Sequence, residues 1–520
     1  MAMAVFTILL LSLCASPACC RAVGRVLPLR RLEELPVKRF PLCLAALTAL
    51  GLGLRLAAAL CVPAELSPGE AALVVAGRRF LADGMPVLGA EGGALTALLV
   101  RPADALFRGD VRALRALSLL AGGATVPLAA LALRGPQRPC AAQEEKHREH
   151  PALGLLAAAL FALSPWLIQA SATLSSLSFV LCLLAAGACA FMYGRPLAGA
   201  ALIGLAAWGL PGAWLCALPL GCVLALCAAP RRRAAPLALC ALLCLPPALC
   251  FVRAALYLPA ARFLCFTLPE LSLSGVEAAW LQGVDGLRPA LIERLDALLS
   301  WEIFRHADAA AAEGAAMHGM GAMLLALVPV TLAGCFACLG GAKRGVVLWA
   351  ALTAAGLCLF GAPDERHLLL LSLPLLCACA VGAWRVGHRM RAAAVAIVLT
   401  ASFACGSFMA AWAGADHRLT LQKAHMPGIA DALRAAAHTD AERIVITDCF
   451  DLWESPERAA LSLAEAALGQ ADARMEVEYL DGEELEPDAV YILTLAQAEA
   501  LGATPAASYG GFAVVDRRAE

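Results

Sequence analysis

Between residues 40 and 413 the chain alternates long apolar runs with short polar breaks. The runs fall at about 40–62, 110–133, 152–169, 172–193, 197–212, 213–229, 235–257, 317–339, 345–361, 367–384 and 392–413. Each is roughly as long as an α-helix must be to cross ~30 Å of hydrocarbon at 1.5 Å per residue. The pattern predicts about eleven transmembrane helices. Neighbouring runs near Leu210-Pro211-Gly212 are broken by Pro and Gly, and the boundary between two spans is least defined there. A further apolar run, Met3 to Cys20, is followed rather than preceded by basic residues. A secretory signal carries its basic residues first, so an extra span with its N-terminus outside is expected, giving about twelve in all.

After about Asp416 the pattern changes. PGIADALRAAAH reads as a helix and ERIVITD as a strand, and SPERAALSLAEAALG reads as a helix with Ser455 as N-cap and Pro456 at N1. MEVEYL, DAVYILTL and FAVVD read as further strands. This alternation predicts a small α/β domain over 414–520. The fold class is therefore an all-α polytopic membrane protein with a small C-terminal α/β domain. The expected parts are 1–39 (an N-terminal apolar segment and a basic stretch), 40–413 (the transmembrane domain) and 414–520.

Composition agrees. The 520 residues are 61% hydrophobic and 16% charged, against ~25% charged in an ordinary soluble domain. Arg and Lys cluster at 21–39, 134–148, 231–233, 343–344 and 385–391. If the first span runs outward, all five clusters share one side, which the positive-inside rule makes cytoplasmic. Segments 63–109, 258–316, 362–366 and the whole tail then lie outside, in the extracytoplasmic space of a multi-pass plasma membrane protein. Most of the 22 cysteines sit inside apolar runs, where they act as small hydrophobes. The pairs Cys335/Cys338 and Cys377/Cys379 lie mid-span without histidine partners, so packing rather than metal is the reading. No basic tract points to nucleic acid. No HExxH, GxGxxG, Walker A or GxSxG pattern occurs, against a nucleotide enzyme or a serine hydrolase.

The candidate chemistry gathers just after the first span, in LSPGEAALVVAGRRFLADGMP (Leu66 to Pro86). Residues 71–81 have the spacing of an amphipathic helix lying in the membrane interface. Glu70 at the membrane boundary is a candidate general base for a lipid-borne substrate. Arg78 and Arg79 are candidate partners for a lipid phosphate, or snorkelling anchors. Ser67-Pro68-Gly69-Glu70 is also a capping box, with Ser67 as N-cap and Glu70 reaching back to its N–H. The two roles for Glu70 are not exclusive.

This region resembles the GT-C superfamily of integral-membrane glycosyltransferases, which includes protein O-mannosyltransferases and aminoarabinose transferases. The likeness follows an order of features: an outward first span, an acidic loop, an interfacial helix and Gly84-Met85-Pro86. Then come ADALFRGDVRALRALSLLAGGATVPLAALALRG with Arg115 at the family's arginine position, ALFALSP at 159–165, and ERHLLLLSLPLL at 365–376. In the last of these Arg366 matches the family's arginine and His367 replaces its aromatic residue. The resemblance covers about 60–413. It implies transfer of a sugar from a polyprenyl-phosphate donor to a glycan, lipid or protein acceptor at the outer face of the bilayer, as in cell-envelope glycosylation. Arg78, Arg79, Arg366 and His367 would contact the donor, and Glu70 would be the catalytic base. A divalent cation occurs in parts of the superfamily, and nothing in this chain specifies one. One departure stands out: the family's usual Asp-Glu is Gly69-Glu70 here, so the aspartate taken as the base is missing. Glu65 is a nearby substitute.

The segment 258–316 is long for a connector and carries Glu270, Asp285, Arg288, Glu293, Arg294, Glu302 and His306. Long loops of this kind tend to be functional, so it is a candidate cap over the site. Asp448 and Asp451 follow a strand, where turn roles are commonest. The rival readings are a non-catalytic GT-C-like protein, favoured by the missing aspartate, and a transporter or flippase. The latter should show paired broken helices in two related halves, and no clear internal repeat is present.

Overall fold

The computed structural model describes residues 39–519 apart from 80–84, 87–92, 108, 136–150, 228–232, 256–260, 264–265, 269–324, 340–343, 361–368, 390, 415–420, 423–424, 448–455, 470–471, 473 and 479–484. Most described residues of the apolar runs are helical. The first is α1 (Phe40–Cys61), followed by α2 (Pro68–Arg79), the short strand β1 (Met85–Pro86) and α3 (Ala94–Phe107). Then come α4 (Val111–Arg134), α5 (Pro151–Ala162), α6 (Pro165–Ala172), α7 (Ser176–Met192), α8 (Pro196–Ala206), α9 (Trp214–Cys227) and α10 (Ala234–Ala255). Strands β2 (Ala261–Phe263) and β3 (Phe266–Leu268) precede α11 (Val328–Leu339), α12 (Arg344–Phe360), α13 (Ser372–Arg389) and α14 (Arg391–Trp412).

One apolar core joins the bundle from Phe40 to Trp412, and the chain is a multi-pass membrane protein. Among the described residues four helices are long and apolar enough to cross a membrane alone, or up to six if each bent pair is one span. The sequence pattern predicts about eleven. Part of the difference comes from Pro and Gly: α8 has 11 residues, a rise of about 16 Å. It stops where Gly209, Pro211 and Gly212 (φ +76°) break the chain. Where α11 crosses α13, a Cβ on Gly334 would lie 1.9 Å from the Ala378 carbonyl oxygen, so only glycine permits that approach.

Connections separated widely in sequence meet at one end of the bundle. The α6–α7 turn, the α8–α9 break, helices α2 and α3 and the tail all touch there. Trp412 Nε1, at the end of α14, donates to the Ala58 carbonyl near the end of α1 at 3.0 Å. At the opposite end Arg134, closing α4, stacks over the Phe40 ring that opens α1, at 4.1 Å. Helix α2, in the first of the segments that the charge pattern groups with the tail, is in direct contact with it.

The span at 151–172 is bent by 55° between α5 and α6. Pro165 starts α6 and supplies no N–H, so the carbonyl four residues earlier, on Phe161, loses its helical donor. Arg55, fully buried in α1, takes that place: Nη2 donates to the Phe161 oxygen at 3.1 Å and Nη1 to the Gly51 oxygen at 2.9 Å. The guanidinium also sits at the C-terminal end of α5, where a helix dipole favours a cation.

The tail is a compact α/β unit. Helix α15 (Ile429–Ala437) precedes β4 (Arg443–Thr447), α16 (Pro456–Leu468), β5 (Met475–Glu478), β6 (Ala489–Thr494), α17 (Leu495–Ala500), β7 (Ala507–Tyr509) and β8 (Phe512–Asp516). Its sheet has the order β5-β4-β6-β8-β7, with β5, β4 and β6 parallel and the last two pairings antiparallel. Helix α17 was not legible from periodicity. It is started by a capping box between Thr494 and Gln497.

If Arg55 substitutes for the N–H that Pro165 lacks, Arg55→Met should cost about 1–3 kcal/mol by leaving a buried carbonyl unpaired. The Arg55→Met/Pro165→Ala double variant should lose less than the sum of the single losses, because an alanine in place of Pro165 restores a donor. Thermal midpoints in detergent measure this, and strict additivity would contradict it.

Candidate functional site: a buried carboxylate under the tail domain

Helix α2 begins with both halves of the capping box in place. The Glu70 N–H donates to Ser67 Oγ at 3.3 Å and the Ser67 N–H donates to Glu70 Oε2 at 3.0 Å. The same carboxylate is buried, with 2% exposure, and gathers two further elements. Arg115, in the first turns of α4, donates from Nε to Oε1 and from Nη2 to Oε2, each at 2.7 Å. The Leu174 N–H, in the turn between α6 and α7, donates to Oε1 at 2.8 Å. One turn beyond Arg115, Ser118 Oγ accepts the Ser175 N–H at 2.9 Å, so α4 also holds that turn directly.

Arg115 also binds the loop before α2, donating to the carbonyls of Pro63 and Glu65. Against this pair lies His425, fully buried, from a helical turn that leads into the tail domain. Its Nδ1 is 3.1 Å from the Glu65 carbonyl oxygen, 3.4 Å from Arg115 Nη2 and 3.7 Å from Glu70 Oε2. Its Nε2 is buried without a hydrogen-bond partner among the described residues.

Burial pushes the Glu70 carboxyl upward. The charge and hydrogen bonds of Arg115, with His425 and the Leu174 N–H, outweigh it and hold the group at about 2. Burial pulls His425 down to about 4; Glu70 opposes this, Arg115 adds to it, and the Glu65 carbonyl opposes it. A general base works best with a pKa near the operating pH. A carboxylate at about 2, with both oxygens accepting hydrogen bonds, is instead suited to holding three elements together.

The two arginines expected as phosphate partners are engaged by protein. Arg78 pairs with Asp104 of α3 through Nε–Oδ2 at 2.8 Å and Nη2–Oδ1 at 3.3 Å, and its Nη1 donates to the Ala466 carbonyl at 2.9 Å. Arg79 forms a two-point pair with Glu465 at 2.7 and 2.5 Å. Both therefore meet the C-terminal turn of α16, where exposed carbonyls favour cations. Helix α2, expected in the membrane interface, is sandwiched: Leu73 and Val74 face the bundle core beside Val100 and Leu114, while Ala71 belongs to the core of the tail domain.

Arg366 and His367 lie outside the described residues, as does most of 258–316. The described part of that segment does reach the first loop, because β3 pairs in parallel with β1, Met85 opposite Phe266 and Pro86 opposite Thr267. Sequence reasoning placed Arg115 by family position without a partner, although a lone arginine inside an apolar run is itself a signal. His425 carried no signal, since its contact at Glu65 is 360 residues away in the chain.

No protein-family model matches the chain, and no curated protein matches it by sequence. By structure it resembles ArnT from Cupriavidus metallidurans bound to undecaprenyl phosphate, with a TM-score of 0.50 and 12% identity, over 92% of this chain and 98% of that one. The apo form of the same protein gives 0.48 at 12% identity, over 89% and 96%. The mycobacterial arabinofuranosyltransferase AftD gives 0.40 at 18% identity, over 84% of this chain and 31% of that one.

The pH dependence of this site follows from its two depressed groups. The stabilisation from ionised Glu70 is present above its unfolded value of 4.5 and is lost as pH falls toward about 2. His425 acts over a higher window: the unfolded imidazole takes its proton first, so stability falls as pH drops from 6.5 toward about 4. Thermal midpoints in detergent should fall across that upper window, and His425→Asn should flatten the fall. An unchanged slope in the variant would contradict the assignment. The architecture gives the chain the fold of that ArnT structure, a polytopic helical bundle with a small C-terminal α/β domain.

Proposed function

We propose that this chain is a membrane glycosyltransferase that moves a sugar from a polyprenyl-phosphate donor to an acceptor at the outer face of the bilayer. The observation that carries the reading is the end-to-end likeness to ArnT, a structure solved with undecaprenyl phosphate bound, which extends over 98% of that chain. Two features support placing the site at the tail-bearing end. The first loop and the 258–316 segment join there in one small sheet, and the Glu70 carboxylate fixes the loop on the bundle. In this reading Glu70 positions the first loop, Arg78 and Arg79 dock the tail domain over it, and Arg366 and His367 are the donor-phosphate contacts that the resemblance implies.

A second reading, a non-catalytic GT-C-like protein that binds a lipid-linked glycan, is favoured by one observation. The aspartate position is Gly69, and the neighbouring acid is committed to Arg115.

The test is direct. The purified chain in nanodiscs is given undecaprenyl-phosphate-linked radiolabelled sugars and membrane extract as acceptor. The first reading expects label in the acceptor fraction and its loss in Glu70→Gln, which loosens the loop. Saturable binding of undecaprenyl phosphate with no transfer would establish the second reading. Neither binding nor transfer would overturn both.

A further inference from the structure

Helix α10 carries two consecutive prolines, Pro246 and Pro247, in its interior. Neither supplies an N–H, so the carbonyls four residues earlier, on Leu242 and Leu243, lose their helical donors. An unpaired carbonyl inside a bundle of spans is costly. Trp208, from the α8–α9 break, makes good one of the two losses: its Nε1 donates to the Leu243 oxygen at 2.7 Å. Gly204, in the last turn of α8, permits the approach, because a Cβ there would lie 2.6 Å from the Leu243 Cβ.

The same tryptophan holds the first loop. Its carbonyl accepts the Leu95 N–H at 3.1 Å, and the next carbonyl, on Gly209, accepts the Gly93 N–H at 3.1 Å and Thr96 Oγ1 at 3.2 Å. A Cβ on Gly93 would lie 1.8 Å from the Trp208 oxygen, so only glycine lets the start of α3 come this close. The side chain also packs on Ala94 and Ala97. Trp208 therefore joins the start of α3, which follows β1, to α10, which precedes β2 and β3. Those strands meet, but β1 and β3 pair over only two residues on each side. A pairing this short is marginal by itself, so its register is set by the elements that carry its two sides. At a proline break a helix lacks the bonds that fix the angle between its halves. The direction in which α10 delivers β2 and β3 then depends on what else binds at the break, and Trp208 Nε1 is such a bond.

We propose that Trp208 is a positioning residue of the tail-bearing end. It locks α10 at its proline break to the start of α3, and so fixes the first loop against the strands that follow α10. The kinetic consequence, though not the lock itself, rests on the transferase reading. In that reading the two segments flank the place where donor and acceptor meet, and a misplacement of about 1 Å there costs up to ~10²-fold in turnover. Trp208 touches neither substrate, so the loss falls on the chemical step rather than on donor binding.

The test removes one N–H. Benzothienylalanine keeps the shape of tryptophan with sulfur in place of the N–H, and it replaces Trp208 or, as a control, Trp349. Trp349 Nε1 also donates to a backbone carbonyl, that of Cys216 at 3.0 Å, but between α12 and α9 inside the bundle. The full chain in nanodiscs carries spin labels on p-acetylphenylalanine at two exposed positions, Leu106 of α3 and Leu249 of α10, beyond the break. A single narrow distance is expected in the parent and the control, and a broadened or displaced one in the Trp208 variant. With an undecaprenyl-phosphate-linked sugar, the Trp208 variant should lose about tenfold or more in kcat while its donor KM stays within about threefold. The Trp349 variant should keep its kcat, whatever its loss of thermal midpoint. An unchanged distance in the Trp208 variant overturns the proposal, as does an equal loss of kcat in both variants. A parent chain that transfers no sugar defeats the transferase reading, and the distances then decide the lock.

Discussion

The ion pair between Glu70 and Arg115 is the constraint on which the tail-bearing end of this protein depends. A charged pair buried beside a membrane bundle is costly unless every lone pair and N–H finds a partner. Here the carboxylate accepts from Ser67, Leu174 and two guanidinium nitrogens, and the remaining guanidinium capacity goes to the Pro63 and Glu65 carbonyls. One carboxylate therefore fixes the start of α2, the top of α4 and the turn between α6 and α7. Arg55 performs the matching task inside the bundle, at the other end of α6. The short helix α6 is thus fixed by Arg55 where it begins and by Glu70 just beyond its end.

The tail domain depends on the same node. His425 reaches the Glu65 carbonyl beside Arg115, and Arg78 and Arg79 hold the last turn of α16. Helix α2 is consequently a shared element, with one face in the bundle and the other in the core of the tail domain. A substitution at Glu70 acts on three contacts at once, so its effects on stability and on any chemistry at this end are coupled rather than separable.

Much of this was legible in the sequence because it rests on local rules. Hydropathy found the helical runs of the bundle, since length and apolarity decide what crosses lipid. The S-x-x-E spacing found the capping box at Ser67 and Glu70, because both partners lie within one turn. Charge distribution put 63–109 and the tail on one side, and Arg79 meets Glu465 there. What was not legible depends on distant partners. The pairing of Glu70 with Arg115, the insertion of His425 and the docking of α2 under α16 join residues tens to hundreds of positions apart, with no repeating pattern to announce them. The spacing of 71–81 marks a helix with one apolar face, and the tail covers the other.

The most direct test of the node is a double-mutant cycle in one detergent, with Glu70→Gln, Arg115→Met and the pair together. If the carboxylate and guanidinium hold this end as described, each single change strands a buried partner and costs roughly 3–5 kcal/mol. The double variant then loses far less than the sum. Additive losses, or a Glu70→Gln protein as stable as the wild type, would contradict the account.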